Sequence, residues 1–494
     1  MNKIKFIIKL SPEITIKSTP VRKRTVKMLS NNISKTLNSE NIDFNLSSNW
    51  DNISLDFKNE NDYEKILDIL KNIFWIHSIL ETKEFSFETL DDILKIVWDF
   101  YKDKLDGLKI FVKAKRNWNH DFSSKDVERI VWWHLLKNSK NASVSLSNAD
   151  KIISLEIKDK KLYIINQKIT GQWWYPIGFS WKVLSLISGW FDSTVSTYMS
   201  MKRGLEVDYL FFDLWFKPHE IAVKQISYYL WKNFSKSYKS TFIKIDFQFL
   251  VNLLLTNSTP KYRSVLLKRY MLKTTDLIND YLLKNVSFFK DEYQAIVKWD
   301  SLAQVSSQTL ANLTNIDKAC EMLVLRPLVM FDKQDIINIT KQIWTYEFCQ
   351  SIPEYCSVVS LSPTTKSQME VILQEEKKID EIFYKEVLKN IEVKKIIDVL
   401  DFENSDFEIK ITQEIAKDDV IIDIREKEII LKKPLKIEGN TILNIPFFEI
   451  NSKFETLDKD KNYLLYCEKW VLSKLHYLYL KDKWYNNLAV YRPE

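Results

Sequence analysis

Between Val183 and Thr194, an apolar run is followed at once by small polar residues, in a spacing that could bind phosphate. The apolar run predicts a buried strand, and the residues after the turn predict a helix. Ser188, Gly189 and Ser193 lie near the turn, where backbone N–H groups and two hydroxyl groups form a cradle for an anion. A helix N-cap is the commoner explanation of such a turn, but its position after a buried strand favours a ligand site.

Charged residues at three places could also contact phosphate or metal. Asp192 lies beside the same turn, and its carboxylate could bind Mg²⁺ or orient an attacking oxygen. Lys268 lies beside Arg269 on a predicted helix and could contact nucleotide or RNA phosphates, although a solvent-exposed pair is the default for such a dipeptide. Lys115 and Arg116 follow a predicted strand and could pair with phosphates, although a solvated face is the simpler interpretation of either one alone.

Cys467 has the surroundings expected of a reactive thiol. It follows a predicted strand at 462–466 and precedes a predicted helix, so backbone N–H groups and the helix dipole would favour a thiolate or a terminal persulfide anion. An inert buried thiol is the usual interpretation of an isolated cysteine. Metal binding is the rival interpretation for the other cysteines, but Cys349 and Cys356 do not have zinc-knuckle spacing and histidine is scarce nearby. Cys320 and Cys349 are therefore interpreted as structural, and no metal site is predicted.

Length and composition limit the class of protein. A chain of 494 residues, with 28% charged and 45% hydrophobic residues, predicts two to four soluble folded domains. The net charge of +6 is modest for this length, so any nucleic-acid surface must be local. No stretch approaches about 18 uninterrupted apolar residues, which argues against a membrane span. Four thiols without an export signal suggest a reducing cytoplasm.

Patterns of strands and helices divide the chain into α/β segments. Residues 1–60 read as a small α/β unit, which includes a predicted strand at Glu13–Lys17. Residues 61–168 alternate helical and strand patterns, and 169–365 alternate them as a doubly wound parallel sheet requires. A charged helical stretch at 366–400 reads as a connector, and 401–494 form a separate α/β pattern.

The counts of glycine and tryptophan are abnormal. Glycine occurs 6 times and tryptophan 16 times, whereas glycine normally makes up roughly 7% of a globular chain. Tryptophan also stands where tight turns favour glycine, as in residues 172–176. We hypothesise that most of these tryptophans are glycines encoded by UGA, a codon that some genetic codes read as tryptophan. A genuine tryptophan-rich surface is the alternative, and a UGG codon at position 190 would exclude the hypothesis.

Long, ordered stretches of the chain resemble the ThiI-type tRNA 4-thiouridine synthetases, the tRNA sulfurtransferase family, in the long form with a rhodanese domain. The loop at 188–193 resembles the family's SGGxDS pyrophosphate loop, with Trp190 in place of the second glycine. Asp423–Arg425 and the Cys-x5-Ser spacing from Cys467 resemble a rhodanese signature. Other matching stretches are residues 6–14, 120–124, 303–309, 325–328, 353–356 and 490–493.

The resemblance implies an α/β multidomain fold in a fixed order. An N-terminal ferredoxin-like domain would occupy 1–60 and a THUMP RNA-binding domain 61–168. An ATP pyrophosphatase (PP-loop) domain with a doubly wound parallel sheet would occupy 169–365, followed by the 366–400 connector and a rhodanese-like domain at 401–494. The connector would let the rhodanese-like domain swing toward the ATP site.

The resemblance also implies roles for individual residues. Asp192 would be the essential loop aspartate, Cys467 would carry the persulfide, and Cys356 would resolve the intermediate by forming a disulfide with Cys467. ATP would activate the C4 oxygen of a tRNA uridine before the persulfide delivers its sulfur. Other family contacts fall on these residues: for the nucleotide Leu186, Ile187, Lys268, Trp299 and Gln308, and for RNA, in the THUMP domain, Lys115, Arg116 and His120.

The tryptophan anomaly bears on this resemblance. Trp173, Trp174, Trp190, Trp215, Trp299, Trp344, Trp470 and Trp484 fall where the family has glycine, whereas Trp50 and Trp231 fall where the family itself has tryptophan. The implied cofactor is ATP with Mg²⁺, and the implied partners are tRNA, a cysteine desulfurase as sulfur donor, and a thiamine-pathway sulfur carrier protein, with a homodimer possible. Two alternatives stay open: a sulfur carrier that serves mainly thiamine synthesis, and a non-catalytic tRNA-binding protein if the loop tryptophans are genuine.

Overall fold

The computed structural model describes most of the chain, which forms two compact units, Met1–Phe179 and Ser180–Glu494. The described residues are 4–49, 52–117, 120–145, 147–214, 217–350, 352, 362–400, 410–425, 430–431, 433–437, 439–446, 449–467, 473, 476–477, 480–481 and 485–493. In this part of the chain, no helix is both long enough and apolar enough to cross a membrane.

The first unit contains one eight-stranded sheet, in the order β2-β3-β1-β4-β8-β7-β5-β6. Its strands are β1 (Ile4–Leu10), β2 (Phe44–Ser48), β3 (Asn52–Phe57), β4 (Ile76–Ser86), β5 (Lys109–Asn117), β6 (Ser143–Val144), β7 (Lys151–Lys158) and β8 (Lys161–Thr170). Its helices are α1 (Thr19–Asn38), α2 (Tyr63–Asn72), α3 (Leu90–Tyr101) and α4 (Ser124–Asn138). Pairing is antiparallel except that β5 runs parallel to β6 and β7.

Two hydrophobic cores lie in this unit. The first joins alternate residues of β1 to residues one helical turn apart on α1, such as Leu29 and Ile33. The second joins Ile110 and Val112 of β5 to a stripe on α4 that includes Val127. The cores meet within β4 rather than at the boundary expected at 60/61, because β4 contributes Ile79 to the first and Phe85 packs on the second.

One predicted strand in this unit is wrong. Residues Pro12–Ile16 form a 3₁₀ helix with proline in its first turn, although their alternating pattern predicted a strand at Glu13–Lys17. Proline has no N–H group to give to a strand ladder, but its fixed φ suits the start of a helix.

The second unit begins with a six-stranded sheet, in the order β13-β12-β9-β10-β11-β14. Its strands are β9 (Lys182–Leu186), β10 (Glu206–Asp213), β11 (Thr241–Asp246), β12 (Ala295–Val297), β13 (Leu323–Leu325) and β14 (Ile391–Lys395). Its helices are α5 (Phe191–Lys202), α6 (Lys217–Leu230), α7 (Gln248–Asn257), α8 (Arg263–Asn285), α9 (Leu310–Asp317), α10 (Lys333–Gln342), α11 (Tyr346–Gln350), α12 (Met369–Lys377) and α13 (Asp380–Glu386). The first five strands in this order are parallel, as a doubly wound sheet requires, and only β14 is antiparallel.

Helix α5 is buried although its sequence is rich in serine and threonine. Its hydroxyl groups are satisfied within the helix: Ser196 Oγ and Thr197 Oγ1 donate to the Ser193 carbonyl at 3.0 and 2.7 Å, and Ser200 Oγ donates to the Ser196 carbonyl at 2.8 Å. These bonds remove the cost of burying hydroxyl groups and leave small side chains facing the sheet. The backbone of α5 can therefore start close to the end of β9.

The expectation of a connector at 366–400 is wrong. Helices α12 and α13 bury Ile372 and Phe383 in the core of the second sheet, and β14 pairs with the edge strand β11. The charges that suggested a solvated linker are partly buried ion pairs: Arg269 Nε lies 2.9 Å from Glu376 Oε1, and Lys273 Nζ lies 2.8 Å from Asp380 Oδ1. This segment is therefore part of the domain that contains the second sheet, rather than a linker between that domain and the next one.

The second unit ends with a five-stranded sheet in which every recorded pairing is parallel, in the order β15-β19-β18-β16-β17. Its strands are β15 (Ile411–Thr412), β16 (Val420–Asp423), β17 (Thr441–Asn444), β18 (Tyr463–Tyr466) and β19 (Leu488–Tyr491), and a short helix, α14 (Ile450–Lys453), precedes β18. Strand β18 is central and apolar, which is typical of a strand covered on both faces.

Candidate functional site

The carboxyl ends of β9 and β12 lie side by side, where the strand order of the second sheet reverses. Parallel sheets bind ligands in the crevice outside such a point. A cavity of about 360 Å³ opens there, within the roughly 300–1,000 Å³ usual for small-molecule sites. Six residues predicted from the sequence line it: Ile187, Ser188, Asp192, Lys268, Trp299 and Gln308. Leu186 is buried beneath them as the last residue of β9.

The cavity wall offers polar atoms to a ligand. In the described part of the chain, Gln308 Oε1 and Ser264 Oγ are buried without a hydrogen-bond partner, and both residues line the cavity. Both atoms can therefore form a hydrogen bond with a polar group of a ligand in the cavity. Most of the remaining wall is apolar, for example Phe212 and Met271, which suits the flat face of a base.

The β9 loop, residues 187–190, connects β9 to α5 and has a fixed shape. Gly189 has φ +76°, and a Cβ atom there would lie 2.6 Å from Ile352 Cδ1, so only glycine fits. Ser193 Oγ accepts a hydrogen bond from the Ser188 N–H group at 3.1 Å and lies 3.0 Å from Ser188 Oγ. These contacts fold the loop over the first turn of α5, and its role as an anion cradle stays a prediction.

His219, which the sequence analysis did not single out, supports the loop from α6. Its Nε2 lies 2.8 Å from the Ser188 carbonyl oxygen, which can only accept, so the ring donates from Nε2. Burial lowers the pKa of His219, and the bond to the carbonyl opposes this only in part. The imidazole is therefore neutral at neutral pH and acts as a fixed donor.

Asp192 is almost fully buried and lies between two polar side chains. Lys333 Nζ lies 2.5 Å from its Oδ2, and Gln304 Nε2 donates to its Oδ1 at 3.4 Å. Lys333 lies in the first turn of α10, 141 residues further along the chain, so no local sequence signal pointed to it. Asp192 therefore lines the cavity with its charge balanced by the Lys333 ammonium group.

On the opposite wall, the buried carboxylate of Asp300 organises three cations. Its oxygens lie 3.0 Å from Lys268 Nζ, 3.1 Å from Lys298 Nζ and 3.2 Å from Arg326 Nε. These charges outweigh burial and hold the pKa of Asp300 below its ordinary value. Gln308 Nε2 also donates to Asp300 at 3.5 Å. The alternative interpretation of Lys268 and Arg269 as a solvent-exposed pair is wrong, because Lys268 lines the cavity while Arg269 is buried against Glu376.

Two tryptophans occupy part of the same cavity. Trp190 is the N-cap residue of α5, and its Nε1 donates to the Ile352 carbonyl at 2.8 Å. Lys333 Nζ lies 4.5 Å from the centre of the same indole ring. Trp299 follows β12 and is half-buried among the lining residues. Both indoles thus take space next to the groups that a phosphate would contact.

A second candidate site, the β18 site, consists of Cys467 and Ser473. Cys467 directly follows β18, is buried, and its Sγ accepts from the Ser473 N–H group at 3.3 Å and lies 3.4 Å from Ser473 Oγ. At the end of the neighbouring strand β16, Arg425 forms a buried ion pair with Asp423 at 2.6 Å. The sulfur therefore lies next to the N–H and hydroxyl groups of Ser473, and its reactivity stays a prediction. Cys356, the predicted disulfide partner, lies outside the described residues.

The predicted RNA contacts lie at the end of β5. Lys115 is exposed on the sheet surface, whereas Arg116 and His120 have structural contacts. Arg116 Nη1 donates to the His120 carbonyl at 3.4 Å, and His120 Nε2 lies 2.8 Å from the Asp159 carbonyl oxygen. The His120 ring also stacks on Phe87, with ring centres 6.2 Å apart. Arg116 and His120 therefore fix the loop after β5, and Lys115 is the exposed residue among the three predicted contacts.

Comparison with family models covers the first two sheets of this architecture. Three family models match the chain: the ThiI ferredoxin-like domain at residues 5–79, the THUMP domain at 87–166, and the thiamine biosynthesis protein (ThiI) at 178–381. A crystal structure of a 4-thiouridine synthetase–RNA complex with bound ATP has the same fold, with a TM-score of 0.67 and 22% identity, over 79% of this chain and 99% of that one.

Full-length relatives are closer in sequence. The tRNA sulfurtransferases of Shigella dysenteriae serotype 1 (strain Sd197) and Escherichia coli (strain K12) are each 40% identical over 493 residues, which is 99% of this chain and 100% of each relative. These alignments extend through the third sheet, which lies outside the three family-model ranges. The chain belongs to the tRNA sulfurtransferase family.

Proposed function

We propose that this protein is an ATP-dependent tRNA sulfurtransferase that converts a tRNA uridine to 4-thiouridine. The observation that carries the proposal is the cavity at the switch point of the second sheet, with the β9 loop on one wall and Lys268, held by Asp300, on the other. The family relatives are named for this activity, and the structural neighbour was solved with RNA and ATP.

The first step would be activation of the uridine. The base of ATP would lie against the apolar wall, with Gln308 Oε1 and Ser264 Oγ as hydrogen-bond acceptors. The phosphates would lie on the N–H groups of the β9 loop and next to Lys268. The uridine C4 oxygen would attack the α-phosphorus, which forms an adenylated base and releases pyrophosphate. Asp192 would hold the Mg²⁺ ion that neutralises the departing phosphates, once its carboxylate turns from Lys333.

The second step would be sulfur transfer from a persulfide on Cys467, loaded by a cysteine desulfurase. The terminal sulfur would attack C4 of the adenylated base, and AMP would leave with the original oxygen. The Cys356 thiolate would then attack the Cys467 sulfur, so that the sulfur–sulfur bond of the persulfide breaks and a Cys356–Cys467 disulfide forms. The two electrons from the thiols reduce the transferred sulfur, and the disulfide must be reduced before another turnover.

The geometry of the β18 site supports the persulfide role. A terminal persulfide anion needs hydrogen-bond donors rather than a full counter-charge, and Ser473 supplies an N–H group and a hydroxyl group next to Cys467 Sγ. We assign a rhodanese-like fold to residues 401–494 on the basis of the parallel third sheet, the cysteine that follows its central strand, and the Asp423–Arg425 pair.

The tRNA would be held by the first unit, with Lys115 as a phosphate contact and Arg116 and His120 as residues that fix its loop. A second role as sulfur donor to a thiamine-pathway carrier protein is favoured by the description of the family model that covers 178–381. That role requires Cys467 but neither the β9 cavity nor Lys115, so variants of the cavity separate the two functions.

The direct test uses the purified full-length chain with unmodified tRNA, ATP, a cysteine desulfurase and cysteine. We expect 4-thiouridine to form only when all components are present, and ATP/pyrophosphate exchange to require tRNA but not Cys467. A chain that binds tRNA and neither retains ATP nor thiolates the tRNA would be the non-catalytic RNA-binding protein of the alternative interpretation.

A further inference from the structure

Tryptophan occupies backbone positions in this chain that side chains avoid. Thirteen described residues have clearly positive φ, and three of them are tryptophan: Trp75 at 79°, Trp174 at 83° and Trp344 at 58°. Five others are glycine, and most of the rest are asparagine or aspartate, which tolerate this region. A left-handed backbone brings Cβ too close to the following carbonyl oxygen, so a bulky residue there is an outlier.

Trp344 has a matched counterpart in the same unit. Helix α10 ends in a Schellman motif in which Thr345 N donates to the Thr340 carbonyl at 2.9 Å and Trp344 N donates to the Lys341 carbonyl at 3.3 Å. Helix α5 ends in the same motif, in which the two residues after the cap residue donate their N–H groups. The first of these two residues is Gly204, which has the left-handed φ of 82°. Glycine is the usual residue at this position because it has no Cβ. The Trp344 indole is 70% exposed, so no packing offsets the strain.

Trp75 and Trp174 differ from Trp344 in burial but share the unfavourable backbone. Trp174 is 41% exposed. Trp75 is buried, yet its indole Nε1 has no hydrogen-bond partner among the described residues, which leaves a polar group unsatisfied in the core. Trp231 is the contrast: it lies in a helical segment, and its Nε1 donates to the Tyr238 carbonyl at 2.7 Å.

We propose that the protein, as made by the cells that encode it, carries glycine at positions 75, 174 and 344. Their codon would be UGA, which some genetic codes read as tryptophan and others as glycine. Trp231, in contrast, is a true tryptophan encoded by UGG. The chain contains 6 glycines and 16 tryptophans, and reassignment of this one codon accounts both for the missing glycines and for the left-handed tryptophans.

The same codon at positions 190 and 299 would open the cavity. Both residues line it, and neither indole has a role in the proposed chemistry. This consequence rests on the proposed function, whereas the assignment at 75, 174 and 344 rests on backbone geometry alone.

Peptide mass spectrometry of the protein isolated from its natural source tests the proposal. We expect the peptides that cover positions 75, 174 and 344 to have glycine masses and the peptide that covers position 231 to have a tryptophan mass. Tryptophan at 174 or 344 would overturn the proposal. The readout involves neither ATP nor tRNA, so it can fail while the proposed function holds, and the reverse is also true.

Thermal unfolding of the full-length chain that carries tryptophan at these positions provides a second, independent test. We expect Trp344→Gly to raise the melting temperature by about 2 °C, because it removes the left-handed strain at the end of α10. Trp344→Ala should raise it less, since alanine keeps Cβ, and the control Trp231→Gly should lower it through loss of a buried, hydrogen-bonded indole. A loss with Trp344→Gly as large as that with Trp231→Gly would contradict the glycine assignment.

Discussion

The β9 loop and the β18 site occupy similar positions in their sheets but differ in the charged groups around them. Each follows an inner strand that has parallel neighbours, and each includes small polar side chains near the carboxyl end of that strand. The β9 loop faces an open cavity lined by two charged groups, Asp192, which pairs with Lys333, and Lys268, which pairs with Asp300. At the β18 site Asp423 and Arg425 form a buried ion pair, and among the described residues Ser473 donates its N–H group to the sulfur of Cys467.

Under the proposed function, this difference would suit the β9 cavity to a polyanion and the β18 site to a single sulfur anion. A triphosphate carries several charges and needs cations that are free to reorganise around it. A persulfide carries one diffuse charge, for which an N–H group and a hydroxyl group suffice. If the two sites belong to one reaction, each can be disabled without damage to the other, and the following predictions test that independence in order of expected effect.

The largest effect is expected from Cys467→Ser. Loss of the sulfur carrier should lower tRNA thiolation by about 10³-fold or more, because no other group can take over a covalent step. ATP/pyrophosphate exchange with tRNA should be unchanged, since the β9 site is intact. The matched control is Cys320→Ser, which removes a half-buried thiol in the other part of the unit and should leave both activities intact. Equal loss of exchange in Cys467→Ser would show that the sites are not independent.

The next largest effect is expected from Asp192→Asn, which alters the β9 site and leaves the β18 site intact. The amide cannot bind Mg²⁺ as a carboxylate does and leaves Lys333 without its anionic partner, so exchange and thiolation should both fall by about 10²–10³-fold. Radiolabelled persulfide should still load onto Cys467 at the normal rate. Asp280→Asn, which changes an exposed carboxylate on α8, is the control that should change neither. Normal exchange in Asp192→Asn would remove this carboxylate from the chemistry.

A smaller effect, a gain in ATP affinity rather than a loss of activity, is expected from Trp190→Gly in the chain that carries tryptophan at this position. Removal of the indole frees space in the cavity next to the β9 loop, so equilibrium titration should show about tenfold tighter ATP binding. Persulfide loading on Cys467 should not change. Trp181→Gly removes an indole that is 76% exposed and is not among the cavity-lining residues, so it should leave ATP affinity unchanged. Weaker ATP binding in Trp190→Gly would mean that the indole is part of the nucleotide site.

The smallest effect concerns pH. Because burial lowers the pKa of His219, the unfolded chain takes up a proton near the ordinary value of about 6.5 while the folded chain does not. The stability that His219 contributes is therefore fully present above about pH 6.5 and is lost as the pH falls below that value toward the lowered folded pKa.

Amide hydrogen exchange measures this loss locally. After correction for intrinsic rates, protection of residues 188–193 should fall between about pH 7.5 and about pH 5.5 in the original chain. His219→Gln, whose amide can still donate to the Ser188 carbonyl, should show a flatter dependence. At β18 the dependence should be the same in both proteins, because the buried His476 is unchanged. An identical pH dependence of the β9 loop in both proteins would contradict the role of His219.

The features that could be predicted from the sequence are those that depend on residues close together in the chain. The turn at 188–193 and the strand before Cys467 were predictable because an apolar run, a polar turn and a helix follow one another within about a dozen residues. Lys333 and Asp300 were not, because their roles depend on which strands and helices lie next to β9. The segment 366–400 was misassigned because its glutamates and lysines resemble a solvated linker, and only the fold shows that Glu376 and Asp380 pair with α8.

The central claim is that the β9 cavity and Cys467 take part in one ATP-driven sulfur transfer, and single-turnover thiolation tests it most directly. The full-length protein, loaded with persulfide and freed of sulfur donor, would be mixed with unmodified tRNA with and without ATP. We predict one 4-thiouridine and one Cys356–Cys467 disulfide per persulfide consumed, and only when ATP is present. Equal thiolation without ATP, or thiolation by the Cys467→Ser chain, would contradict the account.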